Sequence, residues 1–115
     1  MLISDMMVKD GHPFKAGDIF YSSWGYDQTN IDWYVVLRVT RTQVILQACR
    51  EDRRYNDQEM RGITQPVLPA EVSEFSDPIR RKVLKYYDDT YMVSINDYAF
   101  AHPWDGKAKE YTTYS

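Results

Sequence analysis

A chain of 115 residues is too short for two independent hydrophobic cores, and 43% hydrophobic residues are ample for one, which excludes both a multidomain and a disordered protein. Its 14 basic and 17 acidic residues leave a net charge of −3, with both signs spread along the chain. That bias is too weak for a DNA mimic or a generic polyphosphate binder.

Residues 1–13, MLISDMMVKDGHP, are weakly patterned and read as an arm or a first edge strand. They have neither the long apolar run nor the basic flank of a signal peptide, and no stretch approaches the ~20 apolar residues of a membrane span. The expected setting is the cytoplasm, with no membrane partner. From Asp18 the run IFYSS reads as a strand. After a loop, Ile31, Trp33, Val35, Leu37 and Val39 alternate with Asp32, Tyr34, Val36, Arg38 and Thr40, the period-2 signature of a half-buried strand. Arg41-Thr42 separates it from TQVILQACR, giving a tight antiparallel hairpin. Cys49 at the end of that run is the lone cysteine, so no internal disulfide and no Cys-rich zinc site can form, and its apolar setting marks a buried, inert thiol.

Residues 51–60, EDRRYNDQEM, show no periodicity and read as a loop. RGITQPVLP follows, where Pro66 and Pro69 confine any strand to an edge or a bulge, and AEVSEFSDP reads as a connection. Residues 79–87 alternate again and turn at Asp88-Asp89-Thr90 into YMVSIN, a second hairpin. NDYAFA reads as a helical turn capped by Asn96 or Asp97, and Asp105-Gly106 as a two-residue turn. The sum is one small β domain over residues 1–115. It is expected to be an SH3-like, partly open barrel, or else a twisted antiparallel sheet of five to six strands with one short helical turn.

The segment SSWGYDQTN, Ser22 to Asn30, makes an unusually long hairpin link. Trp24, Tyr26, Asp27, Gln28, Thr29 and Asn30 offer stacking surfaces beside amide and carboxylate groups, the mix suited to a base, a nucleotide or a protein surface. The same side chains can equally satisfy an irregular turn, with Trp24 and Tyr26 folded back as a lid. Trp104, Asp105, Gly106 and Lys107 repeat the theme near the C-terminus, and would flank one groove with Trp24 if strand order brought them together. Ten tyrosines, six of them at 86, 87, 91, 98, 111 and 114, exceed what so small a core needs and suit an interface. Arg50, Arg53, Arg54 and Arg61 form one basic cluster, and Arg80, Arg81, Lys82 and Lys85 another. No nucleophile motif, phosphate loop, cofactor signature or metal-ligand spacing is present, which leaves Asp27 with Asp105 as the sole acid–base candidates.

The blocks GDIFYSSWGYDQTNIDWYVV (17–36), DPIRRKV and SINDYAFAHPWDGK resemble a family of small proteins encoded by tailed bacteriophages and plasmids. They cover about half the chain, with SWGYDQTN and PWDGK the most specific segments. The resemblance implies a phage or mobile-element origin and a bacterial cytoplasm, and brings no activity with it. Three readings follow. The first is a non-catalytic binding module acting on a host protein or a nucleic acid, such as a component of a defence system, through Trp24 to Asn30, Arg80, Arg81, Trp104, Asp105 and Lys107. The second is stoichiometric capture or turnover of a small nucleotide-like signal between the two tryptophan loops. The third is a structural or assembly role, with a homo-oligomer permitted by the tyrosine-rich edges.

Overall fold

The computed structural model describes residues 6–26, 28–86 and 90–112. It comprises nine strands: β1 (Ile19–Trp24), β2 (Asn30–Val39), β3 (Gln43–Ala48), β4 (Glu51–Asn56), β5 (Arg61–Pro66), β6 (Ile79–Lys85), β7 (Tyr91–Asn96), β8 (Ala99–Pro103) and β9 (Lys109–Thr112). Six of them close an antiparallel barrel in the order β1-β2-β3-β6-β7-β8, and β4-β5-β9 form a separate small sheet. The expected small β barrel is present, closed rather than partly open. Closure leaves the barrel without a free edge.

The barrel interior is filled by Phe20, Val36, Val44, Leu46, Val83, Val93 and Ala101, one or two from each strand. A second core lies between the barrel and the small sheet, where Ile31, Trp33 and Val35 of β2 meet Cys49 and Tyr111. Strand β2 is therefore covered on both faces. Its odd positions point at the small sheet and its even positions into the barrel. The alternation expected to run on to Val39 stops at a bulge between Val36 and Arg38; Leu37 within it and Val39 beyond it are exposed.

Trp33 joins the two layers. Only 2% of it is exposed, its ring meets Trp104 edge-on at 5.5 Å, and its indole N–H donates to Thr64 Oγ1 at 3.0 Å. The Thr64 hydroxyl donates in turn to Glu51 Oε2 at 2.6 Å.

Three local expectations are corrected. Residues 51–60 form β4 and a turn, not a loop: Asn56 Oδ1 accepts from the backbone N–H of Gln58, and β4 pairs with β5 along its whole length. NDYAFA carries no helical turn. Asn96 Oδ1 accepts from the Tyr98 N–H at 3.1 Å, the local bond of a turn that feeds β8. Strand β5 is central rather than an edge. Pro66 is tolerated there because β9 pairs only with Arg61 to Thr64, so the missing N–H faces no neighbour.

The first described residues behave as the expected arm. The Val8 N–H donates to Val83 O at 3.0 Å, Met7 bridges to Leu84, and Met6 packs with Leu84 and Met92 outside the barrel. The turn at Asp88 and Asp89 lies outside the described residues. No helix among the described residues is long and apolar enough to cross a membrane.

Cys49 is buried in the second core, and burial pushes its thiol up to about 11 from an ordinary 9.0. The folded protein thus keeps a proton that the unfolded chain releases, so this group's contribution to stability is whole below pH 9 and is lost as pH rises through 11. At pH 8 the native thiol should alkylate at least about a hundredfold more slowly than the denatured one. Mass spectrometry after an iodoacetamide time course checks this, and rapid native labelling would contradict it.

Candidate functional site

Strand alternation decides which side chains reach the barrel mouth. Phe20 and Val36 fill the interior, so Ser22 and Trp24 on β1, and Tyr34 and Asp32 on β2, share their inward phase. Ser22 stands opposite Asp32 in the β1–β2 register, and Phe20 opposite Tyr34. By the same phase Arg81 follows Val83 inward on β6, and the turn between β7 and β8 sets Tyr98 at the same end. One end of the barrel therefore gathers Ser22, Trp24, Asp32, Tyr34, Arg81 and Tyr98.

The contacts there are specific. Trp24 Nε1 donates to Asp32 Oδ2 at 2.6 Å, and its ring meets that of Tyr98 at 5.6 Å and 58°, an open aromatic corner. Tyr98 is 68% exposed, and Tyr26, two residues past Trp24 in the chain, 99%. Burial first, and then the Asp32 carboxylate, raise the Tyr34 phenol above its ordinary range, partly opposed by the Arg81 guanidinium. Tyr34 is thus a protonated donor. Arg81 donates from Nε and Nη2 to Ile95 O at 3.3 and 3.0 Å, and from Nη1 to Arg80 O at 2.8 Å. Beneath Trp24, Ser22 Oγ is fully buried and has no hydrogen-bond partner among the described residues. A buried hydroxyl in that state costs about 1–3 kcal/mol.

The connection from β1 to β2 is the five residues 25–29, shorter than expected because Ser22 to Trp24 belong to β1 and Asn30 to β2. Gly25 takes φ +129°, and a Cβ there would collide with the carbonyl oxygen of Gln28. Gly25→Ala should cost several kcal/mol, adding left-handed strain to a backbone clash, and a urea melt within about 1 kcal/mol of wild type would contradict that. Gln28 Nε2 donates to Asn30 Oδ1 at 3.4 Å. Thr29 is structural: its N–H donates to Thr112 Oγ1 and its carbonyl accepts from the Thr112 N–H, tying the loop to β9. Asp27 lies outside the described residues.

The Trp104 segment is elsewhere. The Trp104 N–H donates to Ile19 O, at the opposite end of β1 from Trp24, five residues or about 16 Å away along the strand. The two tryptophan loops do not flank one groove. Trp104, Asp105 and Lys107 instead build a closed turn: Trp104 Nε1 donates to Lys107 O at 2.7 Å, and Asp105 accepts from the Lys107 N–H and from Lys109 Nζ, each at 3.0 Å. The Lys107 amide, then Lys109, hold the Asp105 carboxyl below its usual range. Arg80 points out of the barrel to Gln43 Oε1.

Asp32 and Tyr34 are the site residues that sequence reasoning did not single out; Ser22 and Tyr98 stand there only as members of the long link and of the tyrosine-rich set. Asp32 and Tyr34 occupy the polar phase of β2, which reads as a solvent face until the barrel closes over it. Among the described residues no three His, Cys, Asp or Glu side chains cluster to hold a metal ion. Compared with family models, curated proteins and solved structures, the chain matches none of them.

Proposed function

We propose that this chain is a non-catalytic binding module of phage or mobile-element origin that holds a host protein at the Trp24 end of its barrel. The observation that carries the reading is the corner where half-buried Trp24 meets the exposed Tyr98 over the half-buried Asp32 and Tyr34. Trp and Tyr, large rings with polar tips, are among the side chains that carry most of the binding energy at protein interfaces. A protein partner is favoured over nucleic acid because four of the eight residues in the two basic clusters are held by the chain's own acceptors. Arg50 pairs with Glu71, Arg53 with Glu51, Arg80 with Gln43 and Arg81 with Ile95 O. The phage and plasmid resemblance supplies the setting, in which a defence component is the partner of interest.

A second reading is favoured by one observation. The unpartnered Ser22 Oγ below the corner suits a small polar ligand entering the mouth, as in the capture of a nucleotide-like signal. Native mass spectrometry of protein purified from a bacterial host, before and after denaturation, separates the two. A small mass lost on denaturation selects ligand capture. An unliganded mass, together with a host protein retained by wild type and released by Trp24→Ala, selects the first reading. Retention by the variant equal to that by wild type sinks it.

A further inference from the structure

We infer that β4 is an assembly edge on which two copies of this chain pair, antiparallel, about a two-fold axis at Arg53. This does not depend on what the barrel mouth binds. The barrel has closed its edges, whereas among the described residues the small sheet, in the order β4-β5-β9, ends on a six-residue strand. The hydrogen-bonding phase of that strand can be read from its neighbour. The Val67 N–H donates to Arg50 O, and Pro66, opposite Glu51, has no N–H to give. The groups of Asp52 and Arg54 therefore face β5, and those of Glu51 and Arg53 face the open side.

A two-fold axis normal to the sheet preserves its faces, so each residue must meet one an even number of positions away. Three registers bring the outward-facing groups of Glu51 and Arg53 into use. Centring on Asp52 sets two aspartates opposite each other and Arg50 against Arg54 twice, which outweighs its two Glu51–Arg53 pairs, and centring on Arg54 sets two arginines opposite each other. Centring on Arg53 places Asp52 against Arg54 of the second copy, twice. Like charges directly opposed across strands are unfavourable and opposite ones favourable, so the charges choose the third register. Asp52 and Arg54 are both exposed on the outer face of the sheet. On the inner face the two Arg53 side chains meet at the axis, but each carries its own counter-charge, with Nε 2.8 Å from Glu51 Oε1, and lies 4.7 Å over the Tyr111 ring. Edge strands protected against pairing commonly carry charges that repel any neighbour. The outer-face pair Asp52 and Arg54 is instead complementary to itself in the register centred on Arg53.

The test is sedimentation equilibrium on the full chain and on two single variants, Asp52→Arg and Arg54→Asp. Both positions are exposed, and circular dichroism confirms the fold of each. Wild type is expected to dimerise, and each variant alone to dissociate with a dimer constant at least about tenfold weaker. Mixed in equal amounts, the two variants should recover the dimer, because the first then presents arginine at both positions and the second aspartate at both, so that every pair across the axis is of opposite charge. The double swap D52R/R54D should likewise dimerise by itself. Wild type that stays monomeric up to millimolar concentration overturns the inference. So does a dimer that survives both single variants, or variants that dissociate and are not restored by mixing or by the double swap.

Discussion

Replacing Trp33 with Ala should destabilise the protein by about 3–5 kcal/mol, the usual cost of emptying a buried tryptophan site. Three losses combine. The indole leaves a void between Ile31, Val35, Cys49 and Tyr111, the edge-on contact with Trp104 disappears, and Thr64 Oγ1 loses a donor. Thr64 is only 1% exposed, but it still donates to Glu51, so its hydroxyl is not stranded. Most of the cost is therefore packing. Trp33→Phe separates the parts: it keeps most of the ring and removes the N–H, and should cost about 1–2 kcal/mol. For a domain of this size the Ala variant should melt more than about 10 °C below wild type. Tryptophan fluorescence and far-ultraviolet circular dichroism should lose their signals together, since barrel and small sheet share Trp33. A loss under about 1 kcal/mol, or two separate transitions, would mean that the small sheet is not part of one cooperative unit.

The legibility of the chain follows from where each strand finds its partners. The hairpins β2–β3 and β6–β7 are visible because their registers are local and their apolar residues alternate. Strand β4 is not visible, since EDRRYN has no apolar period. It is held by pairing with β5 and by Arg53 and Tyr55 packed on Tyr111, a residue more than fifty positions further on. Turn chemistry explains the NDYAFA error, because an Asn that can cap a helix can also close a hairpin turn. At the site, Trp24 stands out in the sequence by residue type, but its neighbours do not. Asp32 becomes a site residue only through the inward phase of a closed barrel, and Tyr98 only through the return of β8 beside β1. PWDGK stands out as strongly as SWGYDQTN, yet its side chains are turned onto themselves and onto Trp33, which is a structural use of the same residue types.

Trp24→Ala should abolish capture of the partner while leaving a folded barrel. The magnitudes separate the two effects. An aromatic anchor at the centre of an interface is worth about 2–4 kcal/mol of binding, a loss of roughly thirty- to a thousandfold in affinity. Trp24 is the last residue of β1 and is only half-buried, outside the fully buried set that fills the barrel, so its removal should cost the fold no more than about 1–2 kcal/mol. Asp32 is then left without its indole donor but remains partly open to water, which limits the penalty. Asp32→Asn tests the other half of the corner. An amide oxygen can still accept from Trp24 Nε1, so the ring stays placed while the charge is lost, and affinity should fall with little change in melting temperature. The Tyr34 phenol should stay above its ordinary range in that variant, because burial is the larger cause of its shift. If ring placement and charge act together, the Trp24→Ala and Asp32→Asn penalties should be less than additive, since removing either dismantles the same contact. Should Trp24→Ala unfold, the ring is a lid of the core and the mouth is not the recognition surface. Should it fold and still bind at full affinity, the partner sits elsewhere on the molecule.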